Sequence, residues 1–145
     1  MSYNEITNIL VYGVVLPNKL LSNHEIIDAA KKLSLYEFRG LFLRNTLPKN
    51  PKLNECSILN LDSSSGDGTH WVMSFKKGKD KFYFDSFGVQ PPNELIAHVK
   101  APLFYNCERV QQNSEVICGH LCLFTLNQLS LENNLQAVIN YLIQL

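Results

Sequence analysis

One segment near the C-terminal end of the chain constrains the fold most strongly. Between Gly119 and Leu129 the residues are apolar around nearly the whole circumference of a helix. A surface helix buries a single stripe, whereas a helix that is apolar all round has to be enclosed by other elements. A chain of 145 residues can form such a core without disulfides. We therefore expect one domain, residues 1–145, with this helix running through its core.

Composition and charge exclude several classes of protein. Hydrophobic residues make up 46% and charged residues 18% of the chain, which excludes a disordered protein. Thirteen basic residues balance thirteen acidic ones, so the charge gives no reason to expect a nucleic-acid or membrane partner. The early apolar run, Ile9 to Leu16, is far shorter than the roughly 20 residues of a membrane span and lacks the cationic flank of a signal peptide. We expect an intracellular monomer that is neither secreted nor membrane-bound.

The four cysteines do not form the pattern of a disulfide framework. Cys56, Cys107, Cys118 and Cys122 are widely scattered, and an intracellular location leaves them as thiols. No pair has the C-x-x-C spacing of a structural zinc site. We expect buried hydrophobic cysteines, Cys107 in a strand among them, or one reactive thiol.

The remaining segments predict an α+β fold. Ser22 and Glu25 form a capping box that begins a helix, and Ser130 is placed to cap a final amphipathic helix. Strands are predicted over residues 55–61, 69–75, 81–87 and 103–110, and a short helix over 93–100. Because strands follow one another instead of alternating with helices, we expect a mainly antiparallel central sheet flanked by helices.

The hairpin between residues 69 and 87 brings two polar side chains together. Successive side chains of a strand alternate between faces, so matching the apolar faces limits the register. A loop centred on Lys77 and Gly78 places His70 directly opposite Asp85 on the polar face. Opposed Cβ atoms lie roughly 4.5–5.5 Å apart, and a register shifted by two residues would still leave a diagonal contact. A purely structural ion pair is the alternative interpretation.

Cys118 directly precedes the apolar helix. At a helix N-terminus the macrodipole and the first backbone N–H groups favour a thiolate, the nucleophilic form of cysteine. Gly119, the next residue, would allow a substrate backbone to approach closely. The alternative is that Cys118 is a small core residue, as free cysteines often are.

Two glutamines lie shortly before this cysteine. A primary amide offers two N–H donors without a charge, which suits an oxyanion hole. Gln111 and Gln112 are therefore candidates for that role, and a solvated loop is the alternative.

The order and spacing of these residues resemble a known family. His70-Trp71, Asp85-Ser-Phe-Gly88 and a glutamine seven residues before Cys118-Gly119 follow one another along the chain. This pattern resembles the adenovirus-type (adenain-like) cysteine proteases, which share a clan with the SUMO and ubiquitin-like-protein proteases. The likeness is greatest to versions from Polinton/Maverick-type elements and related DNA viruses, and it extends over roughly residues 20–128.

The resemblance implies a papain-like catalytic core with the nucleophile at the N-terminus of a buried helix. Cys118 matches the nucleophile, and His70 matches the general base that later acts as the acid. Asp85 matches the residue that orients the imidazole.

The resemblance also implies roles for four neighbouring residues. Gln111 has the spacing of the adenain-type oxyanion glutamine, whereas Gln112 has the spacing found in SUMO proteases, and we prefer Gln111. Trp71 and Gly119 are expected to contribute to substrate binding beside the nucleophile.

The implied function is peptide-bond hydrolysis through an acyl-thioester, with viral or capsid precursor proteins as substrates. The resemblance implies no metal or cofactor. It suggests an activating peptide and DNA as partners, although the balanced charge does not support DNA. The host nucleus, the cytoplasm or the virion is the expected location.

Three alternatives remain open at this point. The chain could be an isopeptidase acting on ubiquitin-like modifiers, or a non-catalytic binding module with the same fold. It could also hold zinc through a set of four donors, His70, Cys118, His120 and Cys122, although their spacing is unlike known zinc motifs.

Overall fold

Five strands of the described chain form one sheet, in sequence order β1-β2-β3-β4-β5. The computed structural model describes residues 14–17, 19–61, 70–100, 102–111 and 117–144. The strands are Phe38–Leu43 (β1), Asn54–Asn60 (β2), Trp71–Lys77 (β3), Asp80–Phe84 (β4) and Phe104–Tyr105 (β5). The helices are Asn23–Lys32 (α1), Asn93–Val99 (α2), Cys118–Glu132 (α3) and Leu135–Ile143 (α4). The expected α+β class, a central sheet flanked by helices, is confirmed.

The strand pairs differ between the centre of the sheet and its edges. β2 pairs with β3 and β3 with β4 in antiparallel fashion. The outer pairs, β1 with β2 and β4 with β5, are parallel. A parallel pair needs a crossover connection, and α2 lies in the connection from β4 to β5.

The two faces of the sheet bury separate apolar clusters, as the alternation of side chains along a strand requires. Met73 and Phe75 of β3 belong to the larger cluster, which includes residues of α1, α3 and α4. Val72, on the opposite face of the same strand, packs with Tyr83 and with Leu95 of α2.

Helix α3 is enclosed by the rest of the fold. It contacts β3, α1 and α4, and buried residues lie all around its circumference. The prediction of a core helix here is therefore confirmed. No helix within the described ranges is long and apolar enough to cross a membrane.

The two predicted helix caps have different outcomes. The capping box of α1 is present: Glu25 N donates to Ser22 Oγ at 3.3 Å, and Ser22 N donates to Glu25 Oε1 at 2.9 Å. The prediction for α4 was wrong, because Ser130 lies inside α3. Asn134 caps α4 instead, accepting a hydrogen bond from Ala137 N at 3.1 Å.

The strand predicted over residues 103–110 is reduced to Phe104–Tyr105. The ladder stops because the side chain of Asn106 hydrogen-bonds to the backbone of Asp85 where a strand would continue. Cys107 is therefore exposed and outside any strand, which corrects the expectation of a buried strand cysteine.

The register of the β3–β4 hairpin also differs from the prediction. Lys77 pairs with Asp80 and Met73 with Phe84, so the turn consists of Gly78 and Lys79. Gly78 has a φ of 60°, which glycine adopts without strain. The ladder is displaced by two residues from the one that would place His70 directly opposite Asp85.

Candidate active site

His70 and Asp85 lie at the open end of the hairpin, just before β3 and just after β4. His70 Nε2 donates to Asp85 Oδ1 at 2.7 Å, and the Asp85 side chain is almost fully buried. In the observed register the pair is diagonal. The structure therefore brings together the two residues that the sequence analysis paired, but through the diagonal geometry.

The surroundings of His70 favour its charged form. Burial by itself lowers the pKa of the imidazole. Hydrogen bonds and electrostatic attraction to Asp85 and Cys118 outweigh burial and raise the pKa from 6.5 to about 9. A ring with this pKa accepts a proton readily near neutral pH.

Cys118 is the first residue of α3, and 2% of its surface is exposed. It interacts with the His70 ring closely enough to raise the pKa of the imidazole. Because Nε2 of that ring is bonded to Asp85, Nδ1 is the nitrogen available to the thiol. The first backbone bond of α3 runs from Leu121 N to Ile117 O, so the Cys118 N–H lies at the helix end where N–H groups have no acceptor within the helix.

A tight turn after β4 holds Asp85. Phe87 N donates to Asp85 Oδ1 at 2.8 Å, and Gly88 N donates to Asp85 O at 2.8 Å. The Phe87 ring stacks on the His70 ring with centroids 4.5 Å apart and planes 10° apart. The Arg109 guanidinium carbon lies 4.7 Å from the centroid of the same Phe87 ring.

Gln111 is buried beside this turn, with 2% of its surface exposed. Its Oε1 accepts from Ser86 Oγ at 2.6 Å, and its backbone N donates to Ser86 O at 3.1 Å. Ser86 thereby bonds to both the side chain and the backbone of Gln111. Gln112, the alternative oxyanion residue, lies outside the described residues.

Trp71 and Gly119 are packed against the segment that precedes α1. The Trp71 indole N–H donates to Leu21 O at 3.0 Å. A Cβ on Gly119 would lie 3.2 Å from Leu21 Cδ1 and 3.3 Å from Trp71 Cδ1. Close packing therefore requires a small residue at position 119, and the substrate-binding roles of both residues stay predictions.

His120 is bonded to the backbone of the segment that precedes α1. Its Nε2 donates to Pro17 O at 2.8 Å, and burial lowers the pKa of its imidazole. Cys122 is buried, which raises the pKa of its thiol well above the usual value. Among the described residues no group of three or more histidine, cysteine or acidic side chains could hold a metal ion.

Sequence reasoning missed Ser86, Phe87 and Asn106. Two of these lie in the Asp85-Ser-Phe-Gly88 motif, whose resemblance to a family does not reveal the contacts of each residue. No sequence signal marked Asn106, because its role depends on the turn after β4 reaching the end of β5.

The arrangement combines a thiol, a base of raised pKa and a buried carboxylate. Such a set can transfer the thiol proton to the imidazole and leave a nucleophilic sulfur beside backbone N–H donors. The Gln111 amide offers uncharged donors from a neighbouring loop. This is the chemistry of acyl transfer.

The fold is similar to that of solved viral proteases. The crystal structure of ASFV pS273R protease matches with a TM-score of 0.60 at 20% sequence identity, covering 85% of this chain. Its selenomethionine form matches with a TM-score of 0.59 at the same identity. This chain spans 62% of the length of those proteins. No protein-family model and no curated protein sequence matches the chain.

Proposed function

We propose that this protein is a cysteine endopeptidase that cleaves peptide bonds through an acyl-thioester. The observation that carries the proposal is the 2.7 Å bond between Asp85 and the His70 ring, which also interacts with Cys118 at the start of α3. The likeness of the fold to ASFV pS273R protease supports the same chemistry.

Each residue has a separate role in the proposed reaction. His70 Nδ1 takes the Cys118 proton, and the sulfur attacks the carbonyl carbon of the scissile bond. The resulting imidazolium returns a proton to the departing amine, which breaks the C–N bond and leaves a thioester on Cys118. Water, deprotonated by His70, then hydrolyses the thioester. Asp85 keeps the ring in the required orientation and stabilises its charge throughout.

The developing oxyanion needs donors that are already in place. The Cys118 backbone N–H supplies one, and the Gln111 amide NH₂ is the proposed second donor. The bond from Ser86 Oγ to Gln111 Oε1 supports this assignment, since it restrains the Gln111 side chain beside the turn that holds Asp85.

The proposed substrates are viral or capsid precursor polypeptides, cleaved after small residues such as glycine. The sequence resemblance to adenain-like proteases of Polinton-type elements and the fold likeness to a viral protease support this substrate class. The same resemblance supports an activating peptide as a partner.

Peptide cleavage by the wild-type chain and by Cys118→Ala tests the proposal. We expect the wild type to cleave peptides that have glycine before the cut. Without its nucleophile the alanine variant should lose activity by at least about 10³-fold. Cleavage retained by Cys118→Ala would exclude Cys118 as the nucleophile.

Electrophilic ubiquitin and SUMO probes separate the proposal from its rivals. Labelling at Cys118 by such a probe, with no cleavage of the glycine peptides, would indicate an isopeptidase. If Cys118 is not labelled by either probe and the protein cleaves no peptide, the chain would be a binding module.

A further inference from the structure

Asn106 lies just beyond β5, and 3% of its surface is exposed. Its side-chain amide makes three hydrogen bonds. Oδ1 accepts from Asp85 N at 3.0 Å, and Nδ2 donates to Asp85 O at 2.7 Å and to Glu108 O at 3.0 Å. One buried amide therefore satisfies both backbone polar groups of Asp85.

This arrangement replaces a strand at the point where the sheet ends. The β4–β5 ladder ends with Tyr83 paired to Tyr105. A primary amide carries the same donor and acceptor as a peptide group, so the Asn106 side chain can take the place of a backbone partner. Asp85 can thus leave the ladder without burying unsatisfied backbone groups.

Asn106 affects His70 indirectly, through the position of the Asp85 side chain. Because Asn106 holds the Asp85 backbone, the carboxylate is left to accept from His70 Nε2 and from Phe87 N. A displacement of that backbone would move Oδ1 relative to the imidazole. Displacements of about 1 Å are large on the scale of catalytic geometry.

We propose that Asn106 is a positioning residue, which holds the Asp85 backbone so that its carboxylate stays aligned with His70. The effect of Asn106 on catalysis rests on the function proposed above. Its effect on the geometry of the His70–Asp85 pair is measurable without any substrate. Asn106 acts only through Asp85 and touches no reacting atom.

Histidine titration by NMR tests this inference in Asn106→Ala and Asn106→Ser. We expect the pKa of His70 to fall towards 6.5 by about one pH unit or more in the alanine variant. The serine variant, which supplies one hydroxyl in place of the amide, should have a His70 pKa between those of the alanine variant and the wild type. The His70 signal is assigned by its loss in His70→Gln.

Asn134→Ala is the matched control. It also removes an asparagine that bonds to backbone, but at the N-cap of α4. We expect it to lower the melting temperature and to leave the His70 titration unchanged. A purely structural role for Asn106 would give the same result, so an unchanged His70 pKa in the folded Asn106 variants would overturn the inference.

Peptide cleavage distinguishes this inference from the proposed function. In an active wild type, Asn106→Ala should lower kcat/KM by about 10- to 100-fold and move the alkaline limb of its pH profile to lower pH. The wild type could have a raised His70 pKa that falls in Asn106→Ala and still cleave no peptide. That result would contradict the proposed peptidase function and support the positioning role. A wild-type His70 that titrates at its ordinary value would overturn the positioning role. If Asn106→Ala does not fold, Asn106→Ser carries the test.

Discussion

His70 lies between two opposing influences. Burial disfavours a charged ring, while the Asp85 carboxylate and the Cys118 sulfur favour it and prevail. A base whose pKa is raised in this way holds a proton taken from a thiol, and it still delivers that proton to a leaving amine. The balance depends on the 2.7 Å bond to Asp85, because that carboxylate is the strongest partner of the charged ring.

Phe87 completes the surroundings of this ring. Stacked on His70 at 4.5 Å, it covers one face of the imidazole and fixes its plane. Its own N–H bonds to the Asp85 carboxylate, so one residue restrains both members of the pair.

The raised pKa of His70 predicts how stability changes with pH. A group whose pKa is higher in the folded state than in the unfolded state stabilises the fold fully below its unfolded pKa. The contribution of His70 should therefore be complete below about pH 6.5 and lost as the pH rises towards about 9. Urea unfolding of wild type and His70→Gln between pH 6 and pH 9 measures the difference.

The control for this prediction is the difference in unfolding free energy between the two proteins at each pH, since groups that do not interact with His70 titrate equally in both. The free energy of unfolding of the wild type should approach that of His70→Gln as the pH rises. A difference that stays constant, or grows, would contradict the raised pKa.

At the scale of elements, the turn after β4 depends on one glycine. Gly88 has a φ of 74°, and a Cβ there would lie 2.6 Å from the carbonyl oxygen of Cys107. This glycine therefore allows the Asp85–Gly88 turn to pack directly on the segment that follows β5.

Gly88→Ala should be strongly destabilising, by roughly 3 kcal/mol, because backbone strain adds to a clash with another backbone. Gly78→Ala is the matched control: φ there is 60°, with nothing within 4 Å of an added Cβ. It should cost only about 1 kcal/mol. Urea unfolding of both variants measures the contrast, and equal losses would show that the close approach at Gly88 contributes nothing.

The β3–β4 hairpin shows which features of an element the sequence pattern can predict and which it cannot. Alternation predicted the two strands and the shared face of their apolar residues, since burial requires that pattern. It could not choose between registers two residues apart, because both keep the faces matched. The Gly78–Lys79 turn decided the register, and a diagonal His70–Asp85 pair followed.

At the scale of the whole molecule, the candidate site depends on contacts between distant parts of the chain. The N-terminus of α3 lies at the open end of the hairpin because α3 packs against β3. The sequence could predict a buried helix and the residue types of the site. It could not predict the contacts of Asn106 and Ser86, because these depend on loops placed by the completed sheet.

The central claim is that His70 activates Cys118, and alkylation by iodoacetamide tests it most directly. The rate at Cys118 is compared by mass spectrometry with the rate at Cys107, an exposed cysteine of the same molecule. At pH 6.5 we expect Cys118 to react at least about 10-fold faster than Cys107 despite its burial, and to lose this advantage in His70→Gln. A Cys118 that reacts more slowly than Cys107, or at the same rate with and without His70, would contradict the account.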